Sequence, residues 1–407
     1  MRINLPAGRY GPAVTLALAA AALGVVVGCA SRRPVDSAPE ELVVKPWFNR
    51  GPADPYPDPA ETTVAGLAAA LGCDPGPAQV RPAAGKPLEI LVLSGGGKYG
   101  AYTAGLLNGW TASGTRPQFD VVTGISSGAL TAVYAFLGPQ YDPQLKHYFT
   151  ELSRRELYHL CPLRAPWTGA IASEAPLARI VHKEVTPQLM DELRQAYGCG
   201  RRLFVATTNV MAQRVTVWDV TALAASGRPD APDLVAKVIL ASTCIPGFVP
   251  PVEFDVTVNG CRYRELHADA GNAVQGFVRT ADGIPPGSNL YNLTAGKLYL
   301  DPLKRRPGLF GAVGGTVSAS LYALFRADMM NLYTLAAVTR SRFLMVALPA
   351  GVKVAPGSLN FDRDDLQLLY RVGYQMAAGG ISWRTVPPGV MPDEQTVPRT
   401  GTDFVAP

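Results

Sequence analysis

Two glycine-framed segments hold the residues in this sequence best suited to do chemistry. Ser94-Gly95-Gly96-Gly97-Lys98-Tyr99-Gly100 follows the apolar run Leu88-Glu89-Ile90-Leu91-Val92-Leu93, and Gly124-Ile125-Ser126-Ser127-Gly128 follows Phe119-Asp120-Val121-Val122-Thr123. The second has the G-x-S-x-G spacing of a nucleophile elbow, in which Gly124 and Gly128 let backbone pack closely around Ser126. A serine hydroxyl attacks a carbonyl only where a base removes its proton and donors hold the oxyanion that forms. Glycines can aim successive N–H groups into one anion-binding concavity, which makes Gly95, Gly96 and Gly97 the candidate oxyanion donors. Ser126 also falls at the start of a helical pattern, where the helix dipole favours developing negative charge. The chemistry this arrangement predicts is acyl transfer through a serine.

Two other readings of the first glycine segment fail on neighbouring residues. Gly95-x-Gly97-x-x-Gly100 satisfies a dinucleotide fingerprint, but that site needs an acidic residue at the end of the next strand. Asp120 lies at the start of that strand instead, and its end holds Gly124 and Ser126. A phosphate-binding loop needs Ser or Thr after its lysine, and Tyr99 follows Lys98.

The base is less evident. The histidines are His147, His159, His182 and His267. The first two lie in polar, aromatic surroundings, and His182 follows Ile180-Val181 on a helical pattern with no motif around it. His267, two residues before Asp269, leaves a Ser-His-Asp triad open.

Taken together these segments resemble the patatin-like phospholipases. The resemblance rests on the loop 94–100, the elbow 124–128 and Asp269-Ala270-Gly271, all in family order over roughly Leu88 to Gly271. Ala241-Ser242-Thr243-Cys244-Ile245-Pro246-Gly247-Phe248-Val249-Pro250-Pro251 is similar to the small-residue and proline segment that precedes the family's aspartate. The resemblance implies a three-layer α/β fold with a mostly parallel central sheet flanked by helices. It also implies a Ser126–Asp269 dyad without histidine, acting on glycerophospholipids or other fatty-acyl esters and requiring no metal or cofactor. A non-phospholipase esterase or thioesterase, or a silent lipoprotein that binds lipid or a partner, are the alternatives. The chain departs from the family pattern twice. Tyr99 stands where Arg or Lys is usual before the last glycine of the loop, and Ala270 replaces a glycine. Were φ positive at 270, alanine would cost on the order of 1 kcal/mol.

The elements that must position these residues follow from pattern. Strands are expected at 88–94, 119–123, 202–208, 214–219, 262–268, 297–300 and 343–348, and helices at about 99–112, 126–137 and 234–243. Their alternation predicts a mostly parallel sheet covered on both faces. Residues 309–339 read as a core helix behind the Gly314-Gly315 turn, with a lid or membrane-facing helix as the other option.

With 407 residues and 48% hydrophobic, the chain can bury a large core. A net charge of +5 without blocks of like charge argues against a nucleic-acid partner. Arg2 and Arg9 ahead of the apolar stretch 12–27 read as a signal peptide over 1–28, and Val26-Val27-Gly28-Cys29 resembles a bacterial lipobox. Lipidation at Cys29 would tether the protein to membrane, and Ala30 in place of Asp implies, by resemblance to lipoprotein sorting, the outer membrane of the cell envelope. The proline-rich stretch 29–86 reads as a tether with a short helix near 62–71. A catalytic domain over 87–350 and its C-terminal extension over 351–407 complete the organisation. Cys73, Cys161, Cys199, Cys244 and Cys261 are spaced for buried thiols and one or two bridges rather than zinc.

Overall fold

Alternating burial along the strands builds the sheet. A computed structural model describes residues 85–165, 169–258, 261–280, 283–299 and 308–390 of the protein. Strand β1 (Glu89–Leu93) turns Leu91 and Leu93 into one apolar cluster and Ile90 and Val92 into another on the opposite face. A strand buried on both faces belongs inside a parallel sheet, and the near-continuous apolar run of β1 is its sequence signature. The chain continues through α1 (Gly100–Ala112), β2 (Val121–Gly124), α2 (Ser127–Leu137), α3 (Asp142–Thr150) and the single turn α4 (Arg154–Leu157). A small antiparallel pair, β3 (His159–Leu160) and β4 (Ala172–Ser173), precedes α5 (Ala175–Glu184) and α6 (Pro187–Gly198). Then come β5 (Arg202–Asn209), β6 (Arg214–Asp219), α7 (Val220–Ala225), α8 (Ala231–Thr243), β7 (Val252–Val258) and β8 (Cys261–Asp269). The last elements are β9 (Asn289–Lys297), α9 (Leu309–Val338), β10 (Arg342–Leu348) and α10 (Arg363–Ala378).

The main sheet has eight strands in the order β10-β9-β1-β2-β5-β8-β7, with β6 paired to β5. From β10 to β5 the pairs are parallel, and β6, β7 and β8 add antiparallel pairs at one end. Most helices cover one face, and Phe325, Met329, Leu332 and Ala336 of α9 cover the other. This is the expected three-layer α/β architecture with a mostly parallel sheet.

Three expectations need correction. The strand expected at 297–300 is instead β9, which ends at Lys297. Its polar Asn289, Asn292 and Thr294 hide it from a search for apolar runs, yet Asn292 is buried and its amide donates to Leu290 O and Leu344 O. Gly314 and Gly315 lie within α9 rather than in a turn before it. Only the later part of that helix faces the core, because residues 311–320 stand almost wholly exposed. The signal peptide, Cys29, the proline-rich stretch and Cys73 lie outside the described residues. Cys161, Cys199 and Cys244 are free thiols.

The C-terminal helix is held to the first helix by close backbone approach. A Cβ on Gly373 of α10 would strike Tyr102 O and come within 2.8 Å of Leu106 N, while Gly109 of α1 leaves only 2.9 Å to Tyr374 Cα. Asn108 donates to the Tyr370 hydroxyl at 2.9 Å across the same contact. Overfilling such a contact forces the helices apart. We expect Gly373→Ala to lower the unfolding free energy by about 1 to 3 kcal/mol, read from the midpoint of urea denaturation.

Candidate active site

The sheet register brings the two ends of the site together. One edge of β5 pairs with β6 from Phe204 to Asn209. The other edge pairs with β2 from Arg202 to Val205, where Gly124 lies opposite Val205, and then with β8, where Asp269 lies opposite Thr207. Strand β8 therefore takes over the edge just where β2 stops and its chain turns into the elbow. That hand-over delivers Asp269 to Ser126 although they are far apart in sequence.

Ser126 adopts φ 56 and ψ −127 at the N-terminus of α2, a strained conformation for a residue other than glycine. Close packing enforces it. A Cβ on Gly128 would lie 2.5 Å from Leu93 O and 2.7 Å from Ser94 O, and one on Gly124 would lie 2.6 Å from Gly128 O. The Ser126 amide donates to Ser242 Oγ at 3.0 Å, and that hydroxyl donates onward to Ala206 O at 2.8 Å. Ser242 thus couples the elbow to β5. Two residues on, Cys244 O accepts the Asp269 amide at 2.9 Å. The small-residue segment singled out in the sequence is the strut between serine and aspartate.

The Asp269 carboxylate is buried, lines the same cleft as Ser126 and accepts the Gly271 amide at 2.7 Å. Desolvation outweighs the stabilising influence of Ser126 and the Gly271 amide and pushes its pKa from 3.8 to about 6. Ala270 lies in a short 3-10 turn and is not among the residues with positive φ, so its methyl group incurs no backbone strain. It packs, fully buried, in the cluster that also holds Ile125 and Phe277. Asp328 of α9 accepts the Gln275 amide at 2.6 Å, which fastens the loop beyond Asp269 to that helix.

The histidine option fails on geometry. His267 is fully buried, with Nδ1 2.9 Å from Thr207 Oγ1 and Nε2 3.0 Å from Glu265 Oε2, between the rings of Trp218 and Phe254. Both ring nitrogens are occupied away from Ser126. His147 and His182 are exposed and pair with Glu151 and Asp233, and His159 lies exposed in β3.

Gly95, Gly96 and Gly97 run past Ser126 with amides that no acceptor among the described residues takes. A Cβ at Gly95 would sit 2.9 Å from Ser126 Cβ, and Gly97 adopts φ 56. The support of this loop comes from the C-terminal segment, where the sequence showed no motif. The Lys98 amide donates to Ser358 O at 2.8 Å. Its side chain, wholly buried, turns away from the cleft to pair with Asp365 of α10 at 2.8 Å and with Ala355 O. Tyr99 closes the turn through its amide to Gly96 O at 3.2 Å. The basic residue of the loop is thus structural, and a tyrosine beside it leaves the glycine amides undisturbed.

Ser126 stands where two concavities meet. One is a cleft lined by Gly95, Gly96, Asp269, Asn272, Thr294 and Tyr322, with Ser318 and Leu321 of α9 at its wall. The other is an apolar pocket between α2, α5 and α8. A nucleophile between amide donors and an apolar pocket can take an ester whose acyl part is hydrophobic. Among the described residues no group of three or more His, Cys, Asp or Glu could hold a metal ion, and no helix is long and apolar enough to cross a membrane.

Residues 91–283 match the family described as patatin-like phospholipase. The matched stretch takes in the glycine loop, the elbow and Asp269. The chain is also similar to two solved structures. With VipD from Legionella pneumophila it shares 12% identity over 70% of this chain and 67% of that one, at a TM-score of 0.33. With the type III effector protein ExoU the identity is 15% over 73% of this chain and 53% of that one, at a TM-score of 0.20. The chain therefore spans about half the length of ExoU. No curated protein matches the sequence.

The raised pKa of Asp269 has a measurable cost in stability. Its carboxyl ordinarily titrates at 3.8 and here at about 6, so between these values the folded chain binds more protons than the unfolded chain. Stability then falls as pH rises through that window, and the penalty is complete above about 6. Asp269→Asn keeps an oxygen for the Gly271 amide and removes the charge. At pH 7 it is expected to be more stable than the wild type by ~2 to 3 kcal/mol, a gain that vanishes near pH 4, as read from paired denaturation curves at the two pH values.

Proposed function

We propose that the protein is a serine lipid acyl hydrolase of phospholipase A type, or a closely related carboxylic ester hydrolase, working through a Ser126–Asp269 dyad. The observation that carries this reading is Ser126 and the buried Asp269 carboxylate lining one cleft with the Gly95–Gly97 loop, whose amides find no acceptor among the described residues, at the mouth of an apolar pocket. The patatin-like phospholipase match over the same residues supports the substrate class.

In this mechanism Asp269 accepts the Ser126 proton as Oγ attacks the ester carbonyl. The Gly95, Gly96 and Gly97 amides and the N-terminal end of α2 stabilise the oxyanion. Collapse of the tetrahedral intermediate breaks the acyl–oxygen bond, and Asp269 returns the proton to the departing alcohol. Water, deprotonated by the same carboxylate, then attacks the acyl-enzyme and releases the fatty acid and the free serine. A pKa near 6 makes Asp269 a stronger base than an ordinary carboxylate while leaving it ionised at neutral pH. The acyl chain lies in the apolar pocket and the leaving group in the cleft. In the wider organisation, residues 1–28 direct export, a lipidated Cys29 anchors the protein in the outer membrane, and 29–86 hold the catalytic domain near its lipid substrate.

A fluorophosphonate should label Ser126, located by mass spectrometry, and Ser126→Ala should abolish both labelling and ester turnover. Asp269→Asn should lower kcat by about 10²- to 10⁴-fold. Because the base must be ionised, kcat/KM should rise with pH to a plateau, with a midpoint at about 6. A folded sample that neither labels nor turns over esters would defeat the proposal.

A further inference from the structure

The apolar pocket beside Ser126 has a length fixed by the helices that wall it. On α2 its lining residues are Ser127, Leu130, Val133 and Tyr134, one face of the helix. The stretch from Ser126 to Tyr134 spans about 12 Å at a rise of 1.5 Å per residue. Helix α8 gives a second measure. Thr243 lines the pocket next to Ser242, which holds the Ser126 amide, whereas Asp233 at the other end of α8 lies 3.3 Å from His182. Asp233 and Thr243 are about 15 Å apart along the helix axis. His182 is on α5 beside Glu184, so Glu184 is at the end of the pocket remote from the serine.

Among the described residues lining this pocket Glu184 is the only charged one. Its Oε2 accepts the Tyr134 hydroxyl at 2.9 Å and its Oε1 accepts the Tyr148 hydroxyl. Burial, reinforced by the Glu184 carboxylate, pushes both phenols up, so both stay protonated and keep donating. An otherwise apolar wall thus ends in a hydrogen-bonded polar cluster.

We propose that this pocket takes the acyl chain and that the Tyr134–Glu184–Tyr148 cluster is its end stop. At ~1.25 Å per carbon, a depth of about 12 Å takes an extended chain of about eight to ten carbons. The direction of entry, carbonyl at Ser126 and methyl end at the cluster, rests on the serine hydrolase reading. Each methylene short of the cluster exchanges water for an apolar wall. The next must cover a carboxylate and two phenols whose remaining hydrogen-bonding capacity it cannot satisfy, which offsets the gain. The enzyme therefore selects medium-chain over long-chain acyl groups.

The test separates the pocket from the chemistry by measuring binding to the Ser126→Ala protein. Isothermal titration with straight-chain fatty acids from butanoate to hexadecanoate should show affinity rising about fourfold per methylene as far as decanoate and no further. Glu184→Leu should move that break to longer chains, and Leu130→Trp, which narrows the pocket midway, should move it to shorter ones. Should Glu184→Leu not fold, Leu130→Trp alone decides. Affinity that climbs steadily to hexadecanoate, an absence of chain-length dependence, or a break that stays put in the folded variants overturns the end stop. Wild-type protein that turns over no ester while its Ser126→Ala form shows the break would sink the hydrolase reading and leave the pocket standing.

Discussion

The site depends on one strand edge being shared. Edge pairing in a sheet is normally settled strand by strand, but β5 gives its first residues to β2 and its last to β8. The parallel strand ends in the elbow, and the antiparallel strand arrives from the opposite direction to end in Asp269. A one-residue slip in β8 would turn Asp269 to the other face of the sheet. The strut through Ser242 and Cys244, tied to Ala206 O and to the Asp269 amide, locks that register from the side. Strain at Ser126, desolvation of Asp269 and unpaired glycine amides are all held in place by this arrangement.

Much of this was legible because the relevant signals are local. The apolar runs of β1 and β2 ending in glycines defined strand-to-helix turns, and the G-x-S-x-G spacing located a serine with a strained backbone. Asp269 was reached only through resemblance, since nothing nearby in sequence distinguishes it from a turn-forming aspartate. What could not be read is long-range. His267 was left open as a base because two-residue spacing puts it on the same face as Asp269, and only the packed structure reveals Thr207 and Glu265 occupying both its nitrogens. Strand β9 escaped notice because its asparagine amides find partners in neighbouring strands, Asn289 at the Glu89 carboxylate and Asn292 at Leu344 O, a compensation a pattern search cannot see. Ala270 looked strained only while the turn was assumed to need a positive φ.

The two faces of the sheet divide the labour. On one, α2, α5 and α8 form the pocket beside the serine, and α1 and α10 lock together through glycines. On the other, α9 contributes Asp328 to the loop beyond Asp269, and its exposed first part, 311–320, places Ser318 at the cleft. The thinner layer thus borders the cleft and the thicker layer holds the apolar pocket.

The fastening of the glycine loop by Ser358 and Asp365 has a temporal side. Serine, aspartate and loop are all made before the segment that steadies the loop. A chain emerging from the ribosome therefore carries Ser126, Asp269 and the glycine loop while the support of that loop is still unsynthesised. Completion of α10 is then the event that gives this loop its support.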